Sequence, residues 1–231
     1  MKVVILAGGF GTRLSEYTKS IPKPMINVNG RPIIYYIMKH FYNYGFDEIY
    51  CAIGYKGNVL KEFFKKNKFP WKVKLIETGL KTMTGGRIKR LKKYLGNERF
   101  FMTYGDGLAN VNLKKLLKFH IKNKKLATMT AVRPPARFGK IKLNDQNKVT
   151  LFREKSNLDE GWINGGFFIL EPKILSLINS DRTFFEKQPL ELLSKKGQLM
   201  AFKHNKTWQC MDTIRDKEIL ENLLAKKILK F

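Results

Sequence analysis

Along the first 132 residues, short apolar runs alternate with segments whose apolar residues recur every three or four positions, and this alternation limits the fold more than any other feature. The runs KVVILA (2–7), EIYCAIG (48–54), KVKLIE (72–77), RFFMTYG (99–105) and LATMTAV (126–132) have the length and residue types of buried strands. Between them, PIIYYIMKHFYNYG, NVLKEFFKKN, GRIKRLKKYLG and NLKKLLKFHIKN carry helical spacing. Gly45 and Asn67 stand where the first two helices should stop, and Asn112 is placed to cap the last. Such repetition predicts parallel strands, right-handed crossovers and helices on the faces of the sheet. Ligands of these sheets bind beyond the carboxyl ends of the strands, near the point where strand order reverses.

After Pro134-Pro135 the pattern changes. FGKIKL, KVTLFREK and WINGGFFIL read as short strands separated by turn residues at 144–147 and 157–161, and predict an antiparallel layer with a second half-site. Helices near 172–179 and 187–195, a strand LMAFKH, the segment KTWQCMDT and a final helix from about 213 to 228 follow. No repeat or flexible linker interrupts the chain, and 231 residues with 43% apolar content suit one domain, with a first half at 1–132 and a second at 133–231. The expected fold class is α/β: a Rossmann-like, mostly parallel sheet flanked by helices, with a small antiparallel layer.

Cys51 and Cys210 are the only cysteines and lack the spacing of a zinc site or disulfide framework, which points to a reducing compartment. The apolar stretch from Val3 to Ala7 stops at Gly8, too short for a signal or a membrane span, so a soluble cytoplasmic protein without a membrane partner is expected. Charge is unusual: 45 Lys and Arg against 19 Asp and Glu give +26. Lysines spread through KEFFKKNK, KLLKFHIKNKK and LAKKILKF fit a compositional bias on solvated helix faces; attraction of a phosphorylated small molecule is the alternative, and no nucleic-acid partner is expected. His40, His120 and His204 stand singly and read as structural. The aromatic residues of IIYYIMKHFYNY recur at helical spacing and read as core or as the interface of a homo-oligomer.

The first strand opens into LAGGFGTRLSEYTKSIPKPM, residues 6–25. Gly9-Phe10-Gly11 does not make a dinucleotide fingerprint, because Leu14 holds the third glycine position; no Gly-Lys-Ser/Thr closes a Walker loop either. Alone, the loop is a weak signal for a set of bare amides that take an anion, with a structural turn as the plain alternative. Arg13 and Lys23 favour the anion. Pro22 and Pro24 restrict the backbone on either side of Lys23, and a guanidinium and an ammonium converging on a glycine loop suit a triphosphate. As an exposed loop residue, Lys23 should matter for turnover and little for stability.

LAGGFGTRL followed by PKPM resembles the nucleotidyltransferases that activate sugar 1-phosphates. The resemblance continues, in order, through TMTGGR (82–87), TYGDG (103–107), RFGKI (137–141), REK (153–155), INGGFFIL (163–170) and WQCMDT (208–213). Within the family it is greatest to the members that transfer a cytidylyl group from CTP to glucose 1-phosphate, and it implies an enzyme with CTP and a hexose 1-phosphate as partners and Mg²⁺ as cofactor. It assigns Leu6, Gly8, Gly9, Gly11, Thr12, Arg13, Lys23, Thr82, Arg87 and Gly105 to the nucleotide, with Arg87 donating to the cytosine edge. Gly139, Glu154, Lys155, Asn164 and Gly165 would take the sugar phosphate, Arg13, Lys23 and Lys155 would be catalytic, and Asp106 and Asp212 would hold the metal. For several of these a plain structural role also fits: Thr84 as a helix cap, Asp212 as a cap-type residue before a helix, the glycines of INGGFFIL as a bulge. Two departures stand out. Ser156 replaces a customary proline, and FFKKNKFPWKVKLIETG directly joins elements between which the cytidylyltransferases carry an extra segment. A related enzyme using dTTP or UTP, or another phosphorylated acceptor, and a basic nucleotide- or nucleic-acid-binding module are the competing readings.

Overall fold

A computed structural model describes residues 1–135, 139–154 and 161–231. In chain order the elements are β1 (Val3–Ala7), α1 (Ser15–Thr18), β2 (Asn27–Val28), β3 (Arg31–Pro32), α2 (Ile33–Asn43), β4 (Glu48–Ile53), α3 (Gly57–Lys66) and β5 (Lys72–Glu77). They continue with α4 (Thr84–Arg90), α5 (Lys92–Leu95), β6 (Phe100–Tyr104), β7 (Gly107–Ala109), α6 (Leu113–Asn123), β8 (Ala127–Val132), β9 (Lys140–Leu143) and β10 (Val149–Arg153). β11 (Ile163–Leu170), α7 (Gln188–Lys195), β12 (Leu199–His204), β13 (Trp208–Cys210) and α8 (Ile214–Ala225) complete them.

Among the described residues, seven strands form one sheet in the order β12-β8-β11-β6-β1-β4-β5. β1 is parallel to β4 and β6, β4 to β5, and β8 to β12, while β11 is antiparallel to both its neighbours. The chain steps outward from β1 to β4 and β5, then returns to lay β6 on the other side of β1. That reversal brings the loops after β1 and β6 together at the carboxyl ends of two adjacent central strands, where a ligand cleft is expected.

β1 shows why the centre of the sheet is so apolar. Val3, Ile5 and Ala7 pack into the cluster that holds Phe41, Leu116 and Leu220, whereas Val4 and Leu6 face a second cluster with Ile88, Phe168 and Phe185. Alternate side chains thus enter cores on opposite faces, and the strand has no polar side. WINGGFFIL departs from expectation for the same reason. Gly165–Leu170 are all buried, so this strand belongs inside the main sheet, and the separate antiparallel layer reduces to the β9–β10 hairpin. The segment near 172–179 is a 3₁₀ turn (Pro172–Leu177), and GRIKRLKKYLG divides into two helices at Leu91. No helix among the described residues is long and apolar enough to cross a membrane.

His40 has a structural part. His40 Nε2 lies 3.0 Å from the Val111 carbonyl, and burial is the main cause that holds its pKa at about 4 against an ordinary 6.5. The unfolded chain therefore takes up this proton first, so stability falls as pH drops from 6.5 towards 4. His40 alone should contribute about 3 kcal/mol of that loss. Urea midpoints measured across this range should fall, and His40→Gln should flatten the decline.

Candidate active site

Gly8–Gly11 carry the chain off β1, and Gly8 is a place of obligatory close approach. A Cβ there would stand 2.1 Å from Nη1 of Arg87. Arg87 comes from α4 and lies buried beneath the loop. Its Nη2 donates to Gly8 O at 2.8 Å, and its Nη1 donates to Thr78 Oγ1 at 2.6 Å and Gly79 O at 2.9 Å. Burial, followed by the charge of Arg90, lowers its pKa from the usual arginine value. From sequence, Arg87 is expected to donate to the base; in the structure both terminal nitrogens are engaged by the protein, stapling together the loops after β1 and β5. Arg87→Ala would leave those carbonyls without donors, at a cost of about 3 kcal/mol in urea denaturation. Lysine, lacking the fork, should recover little of it.

Gly11 has φ +65°, and this left-handed turn folds the loop back onto Thr18 and Lys23. Here one expectation fails. Lys23 is not an exposed loop residue: it starts a 3₁₀ turn and is 9% exposed. Its Nζ donates to Asp106 Oδ2 at 2.6 Å and to Asp212 Oδ1 at 2.7 Å. Burial works to lower the Lys23 pKa, but the two carboxylates outweigh it and the ammonium is held above the usual lysine value. Two counter-charges allow the lysine to be buried.

Asp106 follows β6, and Asp212 lies between β13 and α8. A cap-type role for Asp212 is taken by its neighbour: Thr213 caps α8 in a reciprocal box with Asp216. The Asp212 carboxylate instead faces the loop, where Oδ2 accepts from Arg13 Nη1 at 2.9 Å. Burial pushes its pKa up, but Lys23 and Arg13 more than offset this and keep it below the usual carboxylate range. The Cys210 thiol, held by burial and then by the charges of Asp212 and Asp106, is pushed up to about 12.

Two clefts meet at this cluster. Leu6, Gly8, Gly9, Gly11, Thr12, Arg13, Lys23, Thr82, Arg87 and Gly105, the whole set assigned to the nucleotide, line a cleft of about 500 Å³. Asn164 and Gly165 line another of about 530 Å³. Arg13, Tyr104, Asp106 and Asp212 are common to both. The glycines of the second cleft sit at a break in register between Asn164 and Phe168, where Gly166 has φ +82° and Asn164 Oδ1 accepts from its N–H at 2.9 Å. A bulge therefore accounts for the glycine pair, and it is also what lines the cleft. Gly139 and Glu154 lie against each other at the end of the β9–β10 hairpin and are not among the residues lining either cleft. Lys155 lies outside the described residues.

Several lining residues escape sequence reasoning. Glu186 Oε2 accepts from Thr84 Oγ1 at 2.5 Å and its Oε1 from the Tyr104 hydroxyl at 2.6 Å, joining the two clefts. Thr84 is therefore no cap. The first amides around α4 instead reach the Asp181 and Thr183 carbonyls, from Met83 N at 2.8 Å and Gly85 N at 2.9 Å. This fixes the segment that presents Phe184 and Glu186. Phe10, Leu80 and Phe184, each 41–50% exposed, give the first cleft an apolar rim fit for a planar base. Trp208 in the second cleft donates from Nε1 to Gly165 O at 2.8 Å. Its position beside the CMDT segment was a usable signal; Phe184 and Glu186 had none. Among the described residues, no group of three or more His, Cys, Asp or Glu could hold a metal.

Residues 2–216 match the model of a family described as nucleotidyl transferase. The chain is 44% identical to the glucose-1-phosphate cytidylyltransferase of Salmonella typhimurium, covering 98% of this chain and 96% of that protein. It is 41% identical to a probable glucose-1-phosphate cytidylyltransferase of Bacillus subtilis, covering 94% and 93%. The Salmonella alignment runs over 249 positions against 231 residues here, so that relative carries residues this chain lacks. Among solved structures, HddC from Yersinia pseudotuberculosis is similar, with a TM-score of 0.76 and 29% identity over 96% of this chain and 99% of that one.

Proposed function

The chain belongs to the nucleotidyl transferase family, and on that footing we propose that it transfers the cytidylyl group of CTP to α-D-glucose 1-phosphate, giving CDP-glucose and pyrophosphate. One observation carries the site assignment: the two clefts share Arg13, Tyr104, Asp106 and Asp212. CTP in the first and the sugar phosphate in the second would meet at this wall. A phosphate oxygen of the sugar attacks the α-phosphorus, a new P–O bond forms, and the bond to the bridging oxygen breaks as pyrophosphate leaves. No protein nucleophile is needed, and catalysis is alignment and charge neutralisation.

Each residue has a part in that alignment. The amides of Gly9 to Thr12 receive the triphosphate, and the Arg13 guanidinium, 75% exposed and paired with Asp212 through Nη1, turns to it. Lys23, released from one or both carboxylates, donates to the α-phosphate and neutralises charge that builds on it. Thr82 and the apolar rim hold the base, while Arg87 fixes the floor beneath it. Asn164 and Gly165 seat the sugar; Glu154 and Lys155, next to each other in sequence, are assigned to its hydroxyls and its phosphate.

Asp106 and Asp212 fit a hard divalent cation such as Mg²⁺. Both point an oxygen at the one position now taken by an ammonium, and such ions accept two carboxylates with phosphate oxygens and water as the remaining ligands. When bound there, the ion would neutralise the triphosphate and polarise its α-phosphorus. The two free cysteines accord with a cytoplasmic enzyme. Pyrophosphate release measured with Mg²⁺, glucose 1-phosphate and each of CTP, UTP, dTTP, GTP and ATP tests the proposal. Release with CTP at least tenfold above the others is the expected result. Equal release with another nucleotide would overturn the base assignment, and none with any pair would overturn the activity.

A further inference from the structure

At the opposite end of β6 from the aspartates, a separate cleft of about 470 Å³ opens between the start of β6, the end of α6 and the end of β11. Its charged lining is lopsided: Arg99, Lys124, Lys125 and Lys173 against a single carboxylate, Glu171, among the described residues. That carboxylate is already shared. Its Oε1 is 3.1 Å from Arg99 Nη2 and 3.2 Å from His120 Nε2. Burial is the main cause that keeps the His120 pKa below the ordinary histidine value, so the ring adds no charge at neutral pH to balance or oppose the acid.

Cations gathered in a concave site repel one another, and the field they focus attracts an anion. A single phosphate would meet only part of this lining, because the cleft is much larger than one such ion. Two or more linked phosphates match it better: the Arg99 fork can hold one group and the lysines, as point charges, another. We propose that this cleft is a second anion site, taking a small molecule with two or more linked phosphates, apart from the site at the aspartates. On binding, the ligand draws Arg99 from Glu171 and leaves that carboxylate to His120. The excess of positive charge is then functional at this place, whatever the origin of the rest.

The chain holds only three histidines, which makes a clean test. The ring carbon signals of the whole protein are followed by NMR while inorganic pyrophosphate, inorganic phosphate and CTP are added in separate titrations at physiological salt. His120 should move saturably with pyrophosphate, and with inorganic phosphate only at concentrations at least about tenfold higher. A shift with CTP as well would name nucleotides as occupants; a shift with pyrophosphate alone would name the inorganic ion. His40 and His204, bonded to the carbonyls of Val111 and Thr207, serve as references. The double variant Lys125→Gln, Lys173→Gln should raise the half-saturation point at least about tenfold and leave turnover intact. A His120 signal that stays fixed, moves equally in the double variant, or responds to phosphate as readily as to pyrophosphate would overturn the proposal.

Discussion

Lys23→Ala is expected to lower kcat/KM by about a thousandfold or more, because it removes a buried cation held at the carboxylates where the two clefts meet. Unlike the substitution of an exposed loop lysine, it should also cost stability. Asp106 and Asp212 would be left facing each other with their shared partner gone. Their side chains keep 31% and 25% exposure, so solvent would take over part of the lost interaction, and the cost should be about 1–3 kcal/mol. Added divalent cation should restore part of it, since the cation would take the place of the ammonium. Thermal unfolding with and without Mg²⁺, set beside pyrophosphate release, checks both halves. Full activity in the variant would remove Lys23 from the catalytic group; unaltered stability would mean that the ammonium contributes nothing to holding the two aspartates together.

The second large effect belongs to Asp212→Asn. Asparagine keeps the shape but loses the charge that both Arg13 and Lys23 use, so kcat/KM should fall by about a hundredfold to a thousandfold. The concentration of Mg²⁺ needed for half-maximal rate should rise steeply as well. Asp216→Asn is the control, four residues along in the capping box of α8. It should cost about 1–2 kcal/mol of stability through the helix cap and, since its Oδ2 also accepts from Asp212 N at 3.1 Å, move the cation requirement far less than Asp212→Asn does. If the two variants showed the same cation dependence, Asp212 would have no place in a metal site.

What the sequence made legible follows from the range of the interactions involved. Alternating apolar runs and helical spacing are local, and strands β1, β4, β5, β6 and β8 all lie within the runs that announced them. The opening loop and the segments around Thr82, Gly105 and Asp212 were visible because each joins chemistry-bearing residues to glycines or prolines in a short stretch. Burial was not visible. Nothing local to PKP says that Lys23 will be covered, because the carboxylates that accompany it lie 83 and 189 residues away. The bonding of Arg87 is hidden for a related reason: its acceptor Gly8 O lies 79 residues away, on a loop the assembled sheet brings to it. Glu186 was invisible altogether, since it carries no motif and its bonds to Thr84 and Tyr104 span 102 and 82 residues. The position of β11 inside the main sheet is not legible either, because a buried central strand and a short antiparallel one share the same residue types.

A crystal structure of the protein soaked with CTP and Mg²⁺ tests the central claim most directly, that the glycine loop, Arg13 and Lys23 receive the triphosphate beside Asp106 and Asp212. The triphosphate should lie over the Gly9–Thr12 amides, with the Lys23 ammonium turned from at least one carboxylate towards the α-phosphate and density for a metal ion between the aspartates. A triphosphate bound elsewhere, while Lys23 still bridges both carboxylates, would contradict the account.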